Sequence, residues 1–121
     1  MEKKLPTYSS SYRFQRPPAE RAELERVFNA YVDEVLAKAE ELRTERGKGY
    51  NSRVAVIDYF PHGEQDLVYE LFKKLLRTEN AIIAEAEGED IDGRVEDGII
   101  DGINYFTFLY AFYKMRREGL I

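Results

Sequence analysis

Three long stretches of this chain repeat apolar residues at alternating steps of three and four, and no stretch alternates with the period of a strand for more than four residues. That pattern restricts the chain to helices that each bury one face. Leu24, Phe28, Tyr31, Val35, Ala39 and Leu42 mark the first stretch. Pro18 is suited to open it, because a first-turn residue needs no N–H partner. Glu20 and Glu23 follow where the helix dipole favours negative charge. The helix is expected to run to about Arg46 and to stop at Gly47 and Gly49. A second helix is predicted over 64–86, with Leu67, Val68, Leu71, Phe72, Leu75, Ile82 and Ile83 on its apolar face. After the acidic turn 87–93, a third is predicted from Arg94 to about Glu118, capped by Asp92 or Gly93.

The expected fold is therefore all-α, with three principal helices. At 121 residues, the length suits one domain. Residues 1–17 carry neither period and are expected to form a non-helical arm, leaving 18–121 as a single helical domain. That arm either stays flexible or docks Tyr8, Tyr12 and Phe14 on a neighbouring subunit. Between the first two helices, Val54, Ala55, Val56 and Ile57 suggest a short extended piece. Tyr59-Phe60-Pro61 suggests an aromatic anchor before a turn, since proline pushes the preceding residue out of the helical region.

Composition removes several function classes. The chain has no cysteine, which excludes disulfides, zinc–thiolate sites and a cysteine nucleophile. His62 is the only histidine, no Ser-His-Asp order is evident, and packing in the turn after Pro61 is its simplest role. No apolar run reaches the roughly 18 residues of a membrane span. No apolar segment follows Lys3 and Lys4, so a signal peptide is not indicated and a cytoplasmic location is expected. A net charge of −5 argues against broad binding to nucleic-acid backbones.

The third helix is the informative one. At about 100° per residue, Val95, Ile99, Ile103, Phe106, Tyr110 and Tyr113 share one face, while Asp97, Asp101 and Asn104 share roughly the opposite face. The polar stripe continues through Phe108, Ala111 and Met115, so its carboxylates are expected to turn inward and line a pocket. Near its end this helix is apolar on almost every side, which calls for cover that one chain cannot supply. A homodimer or higher oligomer is expected, and the fold is an oligomeric helical bundle on this reading. Two carboxylates on one stripe require a cation, a proton or basic partners, and Mg²⁺ is the natural ion for oxygen ligands. The simpler alternative is that Asp97 only serves the helix dipole and Asp101 is solvated. On the second helix, Glu70, Lys74 and Arg77 stand away from the apolar centre. They form either a surface Glu70–Lys74 pair or a cationic pair directed at phosphate. Lys48, between Gly47 and Gly49, could approach a phosphate too, although those glycines match neither a P-loop nor a dinucleotide fingerprint.

Taken in order, Arg46-Gly47-Lys48-Gly49-Tyr50-Asn51, Asp58-Tyr59-Phe60-Pro61-His62-Gly63, a helix with Lys74 and Arg77, and Glu96-Asp97-x3-Asp101-x2-Asn104-Tyr105 resemble a known family. They are similar to the small phage-encoded, nucleotide-modification-associated proteins of the MazG-like all-α nucleotide pyrophosphatase superfamily, over roughly residues 24–115. The resemblance implies an oligomeric bundle and a nucleotide-like ligand. In the catalytic relatives, acidic pairs on two successive helices hold Mg²⁺, which helps water attack a phosphoanhydride. The third-helix part maps to Glu96, Asp97 and Asp101. Asp66 and Glu70 depart from the second-helix spacing, and Gly49 stands where an aspartate is often found.

Two main functional readings follow. In the first, a pocket between helices or subunits binds a nucleotide or nucleotide-derived signal without a cofactor. Lys48, Lys74 and Arg77 would meet phosphates. Tyr50, Tyr59, Phe60 or Tyr105 would stack on a base, and Asp97, Asp101 and Asn104 would bond hydroxyls or base edges. The phage setting of the family suggests sequestration of a defence signal. In the second, the protein is a Mg²⁺-dependent nucleotide pyrophosphohydrolase, with Glu96, Asp97 and Asp101 as metal ligands. A third reading is a structural oligomerisation module.

Overall fold

A computed structural model describes residues 17–50 and 55–121, the side chains of 46–50 excepted. The chain is all-α: α1 covers Pro18–Tyr50, a one-turn 3-10 helix covers Val56–Tyr59, α2 covers Glu64–Ala86 and α3 covers Arg94–Arg117. No strand occurs among the described residues. The expected arm, except Pro17, lies outside them, as does Val54.

Two expectations are corrected. α1 does not stop at Gly47 but continues through Gly49 to Tyr50. Glycine ends a helix only where it turns left-handed; inside a helix it costs about 1 kcal/mol and can be carried. Val56 and Ile57 are not extended either, but belong to the 3-10 turn. There Asp58 accepts a hydrogen bond from the Ala55 N–H at 3.2 Å, which closes the turn locally.

α2 and α3 form an antiparallel hairpin that contains most of the packing. Their junction begins with Gly88 at φ +95. The N–H of Gly88 bonds to the Glu85 carbonyl and that of Glu89 to the Ala84 carbonyl, so the last carbonyls of α2 are satisfied by a left-handed stop. α3 then starts behind Gly93. At the open end of the hairpin Gly63, at φ +59, caps α2 under the Phe112 ring. Leu67, Ala81, Ile91, Ile100 and Phe112 are buried on the hairpin, and Ala39 is buried on α1. Each large apolar side chain so buried contributes about 1.5–3 kcal/mol.

α1 packs on α3 and is much longer than its contact. Its 33 residues span about 50 Å, against about 35 Å for α2 or α3. Leu24, Phe28 and Tyr31, half of its apolar stripe, are 40%, 66% and 64% exposed. No helix among the described residues is long and apolar enough to cross a membrane.

The two stripes of α3 are disposed as their chemistry would not suggest. The stripe that begins with carboxylates packs inward in its middle: Asn104 is buried, and Asp101 keeps only 15% of its side chain exposed. The expectation that both carboxylates turn inward is corrected for Asp97, which is exposed a turn nearer the helix start, as is Ala111 further along. The apolar stripe faces outward, with Phe106 61% and Tyr110 64% exposed. Gly98 permits this arrangement by its size. A Cβ there would stand 2.2 Å from the Thr78 hydroxyl oxygen, whereas one at Gly102 would meet nothing within 4 Å.

The two glycines should respond oppositely to alanine. Gly98→Ala should lower stability by about 1–2 kcal/mol through overpacking, and adding Thr78→Ala should recover most of it. Gly102→Ala should raise stability by about 0.5–1 kcal/mol through helix propensity. Urea unfolding of the wild type and these three variants at equal concentration tests this; equal effects at the two glycines would disprove the close seam.

Candidate functional site

The carboxylate stripe of α3 meets the cationic stripe of α2 across the hairpin. Lys74 Nζ lies 3.0 Å from Asp101 Oδ2, with the two side chains 22% and 15% exposed. In so sheltered a position the attraction is stronger than at a surface, and each charge is held by the other. The pair borders a cavity of about 480 Å³ that is also lined by Arg77, Thr78, Asn80, Arg94, Asp97 and Gly98. The Arg94 Nε–H donates to the Ile91 carbonyl at 2.9 Å, which steadies the guanidinium at the mouth of α3. Arg77 is exposed and has no carboxylate partner among the described residues. Three cations therefore face two carboxylates in a chain whose net charge is −5. The local balance favours an anion.

A second cavity of about 440 Å³ opens next to the first. It is lined by Tyr59, Phe60, Tyr69, Tyr105 and Phe108 together with Arg43, Val56, Asp66, Glu70 and Asn104. Phe60 anchors its rings, with centroids 6.0 Å from Tyr105, 6.1 Å from Phe108 and 6.3 Å from Phe112. These are ordinary aromatic spacings, and the Tyr105 and Phe112 contacts are edge-on. Asp66 is occupied in part by the His62 backbone N–H at 2.8 Å, which braces the start of α2. Asn104 does double duty: it lines this cavity while its Nδ2 donates to the Ala39 carbonyl of α1 at 3.0 Å.

The cavities are adjacent because of helix geometry. Glu70 and Lys74 are four residues apart on α2, and Asp101 and Asn104 three apart on α3, with one member of each couple in each cavity. Their nearest lining residues are thus about one turn, or about 5.4 Å, apart along the helix axes.

The expected site residues are distributed over both cavities. Lys74, Arg77, Asp97 and Asp101 are brought together in the first, and Tyr59, Tyr105 and Asn104 in the second. The side chains of Lys48 and Tyr50 lie outside the described residues. Glu70 pairs with Lys73 at 2.9 Å rather than with Lys74, which leaves Lys74 free to cross to α3. Glu96 turns away to Lys38 on α1 at 2.6 Å. That bond, together with the charges of Glu34 and Glu96, holds the Lys38 ammonium above its usual pKa. His62 is exposed. Arg94 was within reach of the sequence, since it continues the Asp97–Asp101 stripe one turn toward the N-terminus. Arg43 and Tyr69 were not, because only the crossing of α1 and the 3-10 turn brings them to the aromatic cavity.

Mg²⁺ requires several oxygen ligands converging on one point. With Glu96 committed to Lys38 and Asp101 to Lys74, the three carboxylates do not converge. Among the described residues no group of three or more histidine, cysteine, aspartate or glutamate side chains is placed to hold a metal ion. As they stand these residues do not fit the ion. Comparison with protein-family models, curated proteins and solved structures finds no match to this chain.

The Lys74–Asp101 pair should be energetically coupled. In a double-mutant cycle of Lys74→Met and Asp101→Leu, each single variant should lose about 1–3 kcal/mol, and the double less than the sum. A coupling below about 0.3 kcal/mol in urea unfolding would reduce the pair to a surface contact.

Proposed function

We propose that this protein binds a nucleotide or a nucleotide-derived signal and holds it without hydrolysis. The observation that carries the reading is the adjacency of a cationic cavity and an aromatic cavity on the same hairpin, their nearest lining residues one helical turn apart. A nucleotide has the same two-part chemistry, an anionic group joined to a flat aromatic base. Arg77 and Arg94 supply forked donors for phosphate oxygens. Lys74 is poised to share its ammonium between Asp101 and a phosphate, and Lys48 would add a further cation. Tyr59 and Tyr105 offer faces for a base, and Tyr50 would add a third. Asp97, Asp101 and Asn104 offer acceptors for ribose hydroxyls or an exocyclic amine.

The resemblance to MazG-like nucleotide proteins supports the same ligand class. The phage setting of those proteins suggests a purpose, namely sequestration of a defence signal in the cytoplasm of an infected cell. Assembly into an oligomer belongs to this reading, because so much apolar side-chain surface stands exposed on all three helices. Binding is preferred to pyrophosphate hydrolysis because Glu96 is engaged with Lys38, away from the cavity that Asp97 and Asp101 line.

The test is incubation of the protein with a panel of mono-, di- and cyclic nucleotides and NAD, with and without Mg²⁺, followed by heat release and mass analysis. An intact ligand is expected. Arg77→Ala should weaken its binding about tenfold, equivalent to about 1.4 kcal/mol, and Tyr105→Ala should weaken it through lost stacking. Monophosphate and pyrophosphate products would instead establish hydrolysis. The absence of any bound nucleotide would leave an oligomerisation module.

A further inference from the structure

The face of the hairpin that carries neither cavity is an apolar surface with its own period. On α2, Val68, Phe72, Leu75 and Ile82 recur at steps of four, three and seven, and are 56%, 59%, 66% and 38% exposed. On α3, Ile99, Ile103, Phe106, Tyr110 and Tyr113 recur at steps of four and three. Of these, Ile99, Phe106, Tyr110 and Tyr113 are 44%, 61%, 64% and 36% exposed. Such alternation is the repeat by which helices interdigitate in bundles and coiled coils.

The two stripes open on the same side. On α2 the apolar stripe lies roughly 100° from the line of Lys74 and Thr78, which meets α3. On α3 it lies roughly 130° from the line of Gly98, Asp101 and Phe112, which meets α2. The helices are antiparallel, since Glu64 bonds to Arg116 and Lys74 to Asp101. Following their right-handed turn, both stripes arrive on the side opposite Asn104, where α1 crosses α3. The hairpin thus has a polar face with two cavities and α1, and an apolar face with no cover among the described residues.

The extent of this face identifies its occupant. A buried aromatic side chain accounts for roughly 150–250 Å², so the eight exposed stripe residues present on the order of 800 Å². That exceeds the roughly 300–600 Å² of the largest patch on an ordinary monomer. It matches the roughly 800 Å² that each partner brings to a standard interface. Two parallel stripes on one helical hairpin are also half of a four-helix bundle, and an identical hairpin supplies the other half.

We infer that two copies of this chain pack face to face through the α2–α3 apolar stripes, leaving both cavities of each copy on the outside of the dimer. This rests on the oligomeric part of the function proposed above and is independent of its nucleotide part.

The experiment is sedimentation equilibrium of the full chain at about 50 µM, a concentration at which a stable dimer of this interface class is populated. A mass twice 14.2 kDa is expected. Phe106→Glu and Leu75→Glu should each give monomers of unchanged helical circular dichroism, whereas Ala111→Lys, on the side of α3 away from the stripe, should remain dimeric. A monomeric wild type overturns the inference, and so does a dimer that survives both glutamates. Should the glutamate variants fail to fold, the absence of cysteine provides a second route. A single spin label on Lys114→Cys, exposed beside the α3 stripe rather than within it, should report one defined intermolecular distance in the wild-type background, and no dipolar coupling would overturn the interface. Nucleotide binding measured on a folded monomeric variant separates the two proposals, because the cavities do not depend on the partner.

Discussion

The charge pair between Lys74 and Asp101 decides which way α3 faces. A helix with one apolar stripe and one stripe headed by carboxylates would ordinarily bury the first. Here α2 presents an ammonium at the level of Asp101 and a small surface at Thr78 opposite Gly98, so the polar stripe can be packed without leaving a charge unmatched. Once that seam is set, the remaining cations of α2 and of the α3 start, Arg77 and Arg94, necessarily border the same hollow. The site is a consequence of the way the hairpin closes.

Asn104 extends the same logic to α1. Its buried amide reaches the Ala39 carbonyl, so the polar stripe that pairs with α2 also ties the first helix across α3. A buried amide is tolerated when its donors are used, and among the described residues no buried side-chain nitrogen or oxygen lacks a partner. α1 in turn brings Arg43 to the rim of the aromatic cavity and sets Lys38 beside Glu96. That second contact withdraws one of three carboxylates that a linear reading of α3 would have grouped around an ion.

Inward packing of polar residues has a counterpart outside. Leu67, Ile100 and Phe112 belong to a narrow core, and about half of the large apolar side chains on α2 and α3 are left exposed. Exposed apolar area on this scale is costly in water. Association would recover that free energy, while the charged and aromatic hollows stay on the opposite face. Division of labour between two faces of one hairpin reconciles a small core with a structured pair of cavities.

The helices were legible in the residues themselves. Period, the proline at position 18 and the left-handed turn before Arg94 depend on contacts within a few residues, and α2 and α3 fall where those signals put them. The glycines at 47 and 49 misled because an end signal acts only if the backbone turns there. Much of the polar site was legible too, since Asp97, Asp101 and Asn104 share a stripe by arithmetic alone, as do Lys74 and Arg77. Which partner each would take was not. Glu70 could reach Lys73 or Lys74, and Glu96 could turn to a metal, to Lys38 or to water; these choices are made by residues distant in the chain and brought near by packing. The linear order thus determined helix type, the extent of α2 and α3 and the faces available. Tertiary structure alone decided which face went inside, because that depends on the register of one helix against another, where long-range charge and steric fit outweigh the local preference to bury carbon.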